Sequence, residues 1–244
     1  MKIRIDELLV LKKLAGTRSQ AKQLIQQGVV KHQGIIISKP AQLLDDSAKI
    51  VVTTQEQYVG RGAYKLKAAI EEFEVNINEI TAADIGASTG GFTDYLLQNG
   101  AKKVYAIDVG HSQLASHLVH NPHVVNLEKT NIKDLKELPE KVDLVVIDLS
   151  FISIRHAIPN AKNYLKNEGK IIALFKPQFE VGSQFLGKDG VLKDSEKAES
   201  ALREFSEWSK KEHNIRTIGT IKSPITGKKG NQEYLVYLDL TTVK

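Results

Sequence analysis

DIGASTGGFT, residues 84–93, is the stretch of sequence that decides the fold of this chain. An apolar run ends at Asp84, a turn rich in glycine, serine and threonine follows, and an amphipathic stretch begins after it. A second apolar run, in YAIDVG at 105–110, ends at Asp108, 24 residues after the first acid. This order is typical of the first strand, glycine loop, helix and second strand of a nucleotide-binding βαβ unit.

The loop also indicates which class of nucleotide is bound. In the dinucleotide fingerprint G-x-G-x-x-G the second glycine lies against the pyrophosphate, and this chain has Ser88 in place of that glycine. The carboxylate of Asp84, just before the loop, suits a cationic amino-acid tail better than a pyrophosphate. S-adenosylmethionine carries such a tail and also a ribose. The carboxylate of Asp108 can accept hydrogen bonds from the ribose hydroxyls. No G-K-[ST] follows the glycines, which excludes a P-loop.

Two other interpretations of the loop remain open. Its letters also match G-x-S-x-G, the nucleophile elbow of hydrolases. A hydrolase needs a later acid and histidine, and its elbow normally lies deeper in the fold than the first strand. The third interpretation is a structural turn that binds no ligand.

Composition limits the class of protein. A length of 244 residues allows one large domain and a small one, and 41% hydrophobic residues suffice for a core. The chain has no cysteine, which excludes disulfides and thiolate metal sites. We find no signal peptide and no apolar run long enough for a membrane span, and therefore expect a soluble cytoplasmic protein.

The net charge of +5 is concentrated near the N-terminus. Residues 1–55 hold nine Lys or Arg and four Asp or Glu, whereas the rest of the chain holds 25 of each. A small basic domain joined to a neutral one favours binding of a polyanion, although a solvated lysine face is the alternative.

Residues 1–55 are predicted to form a small α+β domain. Apolar residues recur at helical spacing over 5–14, and a second helix is expected from Thr17 or Ser19 to Gln27. A hairpin around 29–37 and a strand at 50–52 follow. The pattern A-x-x-L-I-x-x-G-x-V at 21–30 resembles the S4 RNA-binding domain.

After a linker at 56–62, residues 63–244 alternate between helices and strands. Strands are expected near 82–85, 104–107, 124–127, 142–147 and 171–175, which implies a mostly parallel, Rossmann-like α/β sheet covered on both faces. A helix from Asp194 or Ser195 to about 211 precedes strands at 216–221 and 234–240. The last strand is expected to be antiparallel.

Four charged residues are expected at the carboxyl edge of this sheet, where ligands bind in open α/β folds. Asp148 and Lys176 end strands, Glu233 begins the antiparallel strand, and Lys65 begins the helix before the first strand. Two lysines and two acids suit a substrate that loses a proton from a poor acid, such as a ribose 2′-hydroxyl. Lys176 is the expected base, with a pKa lowered by burial and by Lys65, while the acids position it.

Seven stretches of the chain resemble the TlyA family, whose members are often labelled hemolysins. They are RGAYKL at 61–66, DIGASTGGFT at 84–93, AIDVG at 106–110, LEKTN at 127–131, DLSFIS at 148–153, KPQFEVG at 176–182 and GNQEY at 230–234. The family consists of S-adenosylmethionine-dependent rRNA 2′-O-methyltransferases with an FtsJ-like catalytic domain. Its Lys-Asp-Lys-Glu set falls on Lys65, Asp148, Lys176 and Glu233.

The resemblance implies further site residues. The expected cofactor contacts are Asp84, Gly86, Ala87, Ser88, Thr89, Gly90, Gly91, Phe92, Asp108, Val109, Glu128, Asn131 and Asp148. The expected RNA contacts are Arg4, Arg18, Lys22, Arg61, Lys129 and Lys133. The family methylates cytidine riboses of ribosomal RNA, and this chain resembles its shorter members, which are associated with the large subunit alone.

Alternatives to the enzyme also remain. One is an RNA-binding ribosome-assembly factor without activity, and another is a membrane-active hemolysin, which would need an apolar span or a strongly amphipathic helix. Four histidines cluster at 111–123, but without cysteine or paired acids we expect no metal site. We expect a monomer that binds ribosomal RNA or a ribosomal subunit.

Overall fold

The computed structural model describes residues 2–26, 28–52, 58–227 and 229–240. The chain forms two compact units, residues 1–57 and 58–244. Of the expected linker 56–62, residues 58–62 belong to the second unit, and residues 56 and 57 lie outside the described residues. The domain limits 1–55 and 63–244 stay a prediction.

The first unit combines two helices with short strands. The helices are α1 (Ile5–Leu11) and α2 (Arg18–Gln26), and the strands are β1 (Lys2–Arg4), β2 (Val30–His32), β3 (Ile35–Ile36), β4 (Leu43–Asp45) and β5 (Ile50–Val52). Strands β3, β2 and β5 form one antiparallel sheet, while β1 pairs with β4. The helices bury Ile5, Leu8, Leu9 and Ile25 in a common apolar core.

Two details of this unit differ from the sequence prediction. Helix α1 was expected to reach Leu14 but ends at Leu11, because Lys13 takes a left-handed backbone conformation with φ 58°. The amide N–H groups of Leu14 and Ala15 then both donate to the carbonyl of Leu9. Thr17 caps α2 as expected, since its Oγ1 accepts the N–H of Gln20 at 3.2 Å.

The second unit contains seven strands and six α-helices within the described residues. The strands are β6 (Thr81–Ile85), β7 (Lys103–Ile107), β8 (Val124–Leu127), β9 (Val142–Ile147), β10 (Leu165–Phe175), β11 (Ile215–Lys222) and β12 (Tyr234–Leu240). The helices are α3 (Gly62–Glu72), α4 (Gly91–Gln98), α5 (Ser116–Val119), α6 (Ile158–Tyr164), α7 (Pro177–Glu180) and α8 (Ser195–His213), with 3₁₀ turns at Ile154–His156 and Ser183–Phe185.

The strands form one sheet in the order β11-β12-β10-β9-β6-β7-β8. Strands β10, β9, β6, β7 and β8 are parallel, and β12 is antiparallel to both β10 and β11. The predicted mostly parallel sheet with an antiparallel last strand is therefore confirmed. Because Phe175 pairs with Tyr234, the start of β12 lies beside the end of β10.

Helices cover both faces of the sheet. On one face, α6 and α8 bury Tyr164 and Phe205 against the strands. On the other, α3 and α4 contribute Leu66 and Leu96. These two apolar layers hold the strand ends in a fixed arrangement, and the polar residues that follow β6, β9 and β10 are thereby brought to one edge.

Candidate active site

A cavity of about 690 Å³ opens at the carboxyl edge of the sheet. Residues after β6, β9 and β10 and before β12 line it, together with the start of α3. This volume is within the range of small-molecule sites. The following predicted site residues line it: Arg61, Lys65, Asp84, Gly86, Ala87, Ser88, Thr89, Gly91, Phe92, Asp148, Lys176 and Glu233.

The glycine loop between β6 and α4 passes close to its neighbours. Gly86 has φ 87°, and a Cβ built there would lie 2.4 Å from the carbonyl oxygen of Asp148. Gly90 has φ 95°, and a Cβ there would lie 2.3 Å from a methyl carbon of Leu118. Any side chain at either position would force the loop apart. The two glycines therefore allow the loop to pack closely against Asp148 and Leu118.

Asp84 is fully buried at the floor of this cavity. Its Oδ2 accepts hydrogen bonds from the N–H and Oγ1 of Thr93, at 3.0 and 2.7 Å. Its Oδ1 is buried and has no hydrogen-bond partner among the described residues. Burial raises the pKa of Asp84 to about 7, and the charge of Asp148 adds to this while the Thr93 hydroxyl opposes it. An unmet buried carboxylate oxygen fits a cationic group on the ligand.

Asp108, at the end of β7, bonds to two backbone amides. It accepts the N–H of Ser88 at 2.8 Å and the N–H of Gly110 at 2.7 Å. The first of these bonds joins the acid directly to the glycine loop, where Ser88 has a left-handed φ of 50°. Its expected role with ribose hydroxyls stays a prediction.

Five of the cofactor candidates do not line the cavity, namely Gly90, Asp108, Val109, Glu128 and Asn131. Glu128 accepts the N–H groups of Ser112, Gln113 and Leu114, which orders the loop after β7. Asn131 accepts the N–H of Lys133, and Val109 is 69% exposed. Gly90 also lies outside the lining, in contact with Leu118. Binding of adenine by any of them stays a prediction.

The four candidate catalytic residues form two ion pairs in the cavity. Lys176 Nζ lies 2.5 Å from Asp148 Oδ1, and Lys65 Nζ lies 2.5 Å from Glu233 Oε2. Lys65, Lys176 and Glu233 are buried, while the Asp148 side chain is 25% exposed. Buried charges are tolerated when each is paired, as here. The sequence predicts this convergence, but which lysine pairs with which acid is visible only in the fold.

Sequence reasoning missed an aromatic wall beside Lys176. Phe151 and Phe179 face each other with ring centroids 5.5 Å apart, and both line the cavity. Phe151 is 87% exposed and has a left-handed φ of 68°. Such a conformation costs about 1–3 kcal/mol. Both residues stand in the motifs DLSFIS and KPQFE, so their proximity to Asp148 and Lys176 in sequence was the available signal.

Two of the RNA candidates in the first unit are bound to acids. Arg4 donates through Nε and Nη2 to the carboxylate of Asp6, both at 3.0 Å. Arg18 contacts the same carboxylate at 3.3 Å and Glu7 at 2.9 Å. Their side chains are still 38% and 51% exposed. The hydrogen bond from Arg4 holds the pKa of Asp6 at about 2, well below its usual range.

The other RNA candidates are exposed. They are Lys22 on α2, Arg61 before α3, and Lys129 and Lys133 after β8. Arg61 lies on the rim of the cavity. Roles in RNA binding stay a prediction for all six residues.

Neither a metal site nor a membrane span is seen in the described ranges. No group of three or more histidine, cysteine or acidic side chains there is arranged to hold a metal ion. The helices within those ranges are too short or too polar to cross a bilayer.

Comparisons with known proteins agree with this architecture. Residues 58–240 match the model of the FtsJ-like methyltransferases, and residues 3–50 match the S4 domain. The 16S/23S rRNA (cytidine-2′-O)-methyltransferase TlyA of Mycobacterium tuberculosis is 40% identical over 243 residues, covering 98% of this chain and 90% of that protein. The 23S rRNA (cytidine-2′-O)-methyltransferase TlyA of Campylobacter jejuni is 41% identical over 196 residues, covering 80% and 76%.

A solved structure is similar over nearly the whole chain. The protein named "Putative hemolysin from Streptococcus thermophilus" is 35% identical, with a TM-score of 0.75, covering 99% of this chain and 89% of that one. The family resemblance drawn from the motifs is thus confirmed. With an S4 domain, an FtsJ-like methyltransferase domain and relatives of 40% identity over its length, this chain belongs to the TlyA family of methyltransferases.

Proposed function

We propose that this protein transfers a methyl group from S-adenosylmethionine to the 2′-hydroxyl of a cytidine in large-subunit ribosomal RNA. The observation that carries the proposal is the pair of buried contacts, Lys176–Asp148 and Lys65–Glu233, in the cavity that the glycine loop borders. The names of the two TlyA relatives supply the reaction, and both include 23S rRNA.

Residues of the glycine loop would hold the cofactor. Asp84 offers a buried, unpartnered carboxylate oxygen to the amino group of its methionine part. Gly86 lets the loop lie against the backbone of Asp148, and Asp108 anchors the loop through the N–H of Ser88. When bound, S-adenosylmethionine supplies an electrophilic methyl group on a sulfonium.

Lys176 is the group that takes the proton of the 2′-hydroxyl in this proposal. The proton would pass to Nζ of Lys176, and Asp148, 2.5 Å away, would stabilise the resulting ammonium. Ser150 Oγ, which accepts a hydrogen bond from Nζ at 2.9 Å, fixes its direction. Lys65 and Glu233, which pair with each other in the same cavity, would position the ribose. Alignment of the reacting oxygen then supplies much of the rate.

The aromatic wall supports a nucleotide turned out of its helix. An exposed phenylalanine beside a catalytic centre offers a flat apolar surface on which a base can stack. Phe151 and Phe179 line the same cavity as Lys176. RNA bases in loops and bulges are the ones most easily placed there.

The basic first unit would bind the RNA away from the reacting nucleotide. Arg4 and Arg18 each leave part of a guanidinium exposed, and Lys22 lies one turn after Arg18 on α2. Contacts of this kind with phosphates give binding that weakens steeply with salt.

A hydrolase is not supported by the cavity. A nucleophilic Ser88 would need a histidine to activate it. None of the residues described along the cavity wall is a histidine.

The test is transfer of tritiated methyl groups from S-adenosylmethionine to isolated 30S and 50S subunits, by wild type and by Lys176→Ala. We expect labelling of 50S rRNA by wild type and a loss of about a hundredfold or more in the variant. S-adenosylmethionine binding by calorimetry is the control, since Lys176→Ala should retain it. Cofactor binding without transfer to either subunit would favour an assembly factor instead.

A further inference from the structure

Glu180 is a buried carboxylate close to the active site that the proposed chemistry does not use. Its side chain is 3% exposed, and it stands at the end of α7, four residues after Lys176. Burial raises its pKa, against the hydrogen bond from Ser153. A buried carboxylate of this kind is normally hydrogen-bonded, so its partners indicate what it holds in place.

The partners of Glu180 all lie in the segment that follows β9. Oε2 accepts the hydroxyl of Ser153 at 2.6 Å, and Oε1 accepts the N–H of Ile154 at 2.9 Å. Arg155 Nε lies 3.8 Å from Oε2. The guanidinium of Arg155 in turn lies 4.8 Å from the centre of the Trp208 ring. The carboxylate therefore fastens residues 153–155 to α7.

Two residues of the cavity, Ser150 and Phe151, lie directly before the fastened residues 153–155. Ser150 accepts the hydrogen bond from Lys176, and Phe151 packs against Phe179 of α7. Phe151 is the residue with the left-handed backbone and the 87% exposed ring. Its own packing does not hold so exposed a ring in a strained conformation, so the constraint must come from the residues on either side.

We infer that Glu180 is a positioning residue for the substrate nucleotide: by binding Ser153 and Ile154 it sets the Ser150–Phe151 turn against Lys176 and Phe179. This inference rests on the proposed function, because Phe151 matters only if a base stacks on it. Glu180 is not among the residues that line the cavity. It acts through Phe151.

The experiment is a double-mutant cycle with Glu180→Ala and Phe151→Ala, measured as kcat/KM for methylation of 50S subunits. We expect kcat/KM to fall by about tenfold or more in each single variant. The kcat/KM of the double variant should lie within about twofold of that of the less active single variant, because both changes remove the same contribution of Phe151. The dissociation constant for S-adenosylmethionine should stay within about twofold of wild type in all three. Glu180→Gln keeps one oxygen to accept the N–H of Ile154, and its amide NH2 can donate to the hydroxyl of Ser153, so this variant should recover most of the activity.

Glu140→Ala is the matched control. Glu140 also accepts hydrogen bonds from a hydroxyl and from a cationic group, those of Tyr105 at 2.9 Å and Lys103 at 2.7 Å. Neither Glu140 nor these two partners line the cavity. We expect it to leave kcat/KM unchanged. If Glu180→Ala does not fold, Ser153→Ala takes its place in the cycle, since it removes the donor and leaves the carboxylate.

Several results would overturn the inference. Losses that multiply in the double variant, unchanged activity in Glu180→Ala or Phe151→Ala, or a parallel loss of cofactor affinity would each do so. A wild-type protein that methylates no RNA would instead refute the proposed function itself, and the inference with it.

Discussion

Asp6 in the first unit and Asp84 in the second are both fully buried aspartates, but their pKa values move in opposite directions. The guanidinium of Arg4, helped by that of Arg18, lowers the pKa of Asp6 to about 2. Burial raises the pKa of Asp84 to about 7, although Thr93 donates two hydrogen bonds to it. Asp6 has cations beside it within the protein, whereas Asp84 keeps one oxygen without a partner among the described residues.

The difference separates a structural carboxylate from a binding one. The negative charge of Asp6 is balanced within the protein, because its carboxylate forms ion pairs with Arg4 and Arg18. The charge of Asp84 is met only in part, which leaves the cavity ready for a cationic group.

The largest expected effect is on stability, through Asp84→Asn. The folded pKa of about 7 lies above the ordinary 3.8, so the folded state keeps its proton longer and wild-type stability falls as pH rises between these values. We expect the stability of the variant relative to wild type to rise by on the order of 4 kcal/mol between about pH 4 and about pH 8, because any cost of the new amide is the same at both pH values. Urea unfolding at both pH values measures this.

The matched variant Asp6→Asn should behave in the opposite way. Its folded pKa of about 2 lies below 3.8, so its contribution is present at neutral pH and is lost as pH falls from about 4 towards 2. We therefore expect destabilisation at neutral pH. If both substitutions changed the free energy of unfolding in the same direction at neutral pH, the contrast between the two acids would be wrong.

Cofactor affinity should separate the two acids next. Hydrogen bonds to charged groups are worth about 1.5–3 kcal/mol, so Asp84→Asn should weaken S-adenosylmethionine binding by about 10- to 100-fold. Asp6→Asn should leave the dissociation constant unchanged in the same calorimetric titration. Equal affinities in Asp84→Asn and wild type would contradict the role of Asp84.

The pH dependence of binding should follow the same acid. Because the ligand's ammonium favours the ionised carboxylate, affinity should fall by about tenfold per pH unit below about pH 7. In Asp84→Asn the affinity should hardly change between about pH 5 and pH 7. A slope that persists in the variant would assign the titration to another group.

The smallest expected effect concerns RNA. Arg18→Ala should weaken RNA binding a few-fold and lower the salt slope by about one, because it removes one phosphate contact. Lys211→Ala in α8 removes the same charge from the second unit and should change neither. Filter binding across a salt series compares the two, and an unaltered slope in Arg18→Ala would remove it from the RNA contacts.

Much of the catalytic unit follows from local sequence. The runs at 142–147 and 234–240 are apolar enough to predict their strands. Asp148 and Lys176 follow strands and Glu233 precedes one, so the sequence also predicts that the three meet at one edge of the sheet. The pairing of Lys65 with Glu233 joins residues 168 positions apart, so only the folded sheet reveals it.

Other features could not be predicted because they depend on pairing over distance or on backbone conformation. Strands β1 and β4 have three residues each and pair across the first unit, so neither carries a periodic signal. The left-handed turn at Phe151 depends on what Glu180 holds. Arg4 and Arg18 were expected to be free for RNA, and their shared bond to Asp6 was not foreseen.

Nucleoside mass spectrometry of the rRNA of 30S and 50S subunits, each treated with this protein and S-adenosylmethionine, tests the central claim most directly. The account predicts 2′-O-methylcytidine in the 50S rRNA of wild-type reactions and about a hundredfold less or lower with Lys176→Ala. Methylation on a base, on another nucleoside's ribose, or in 16S rRNA alone would contradict it.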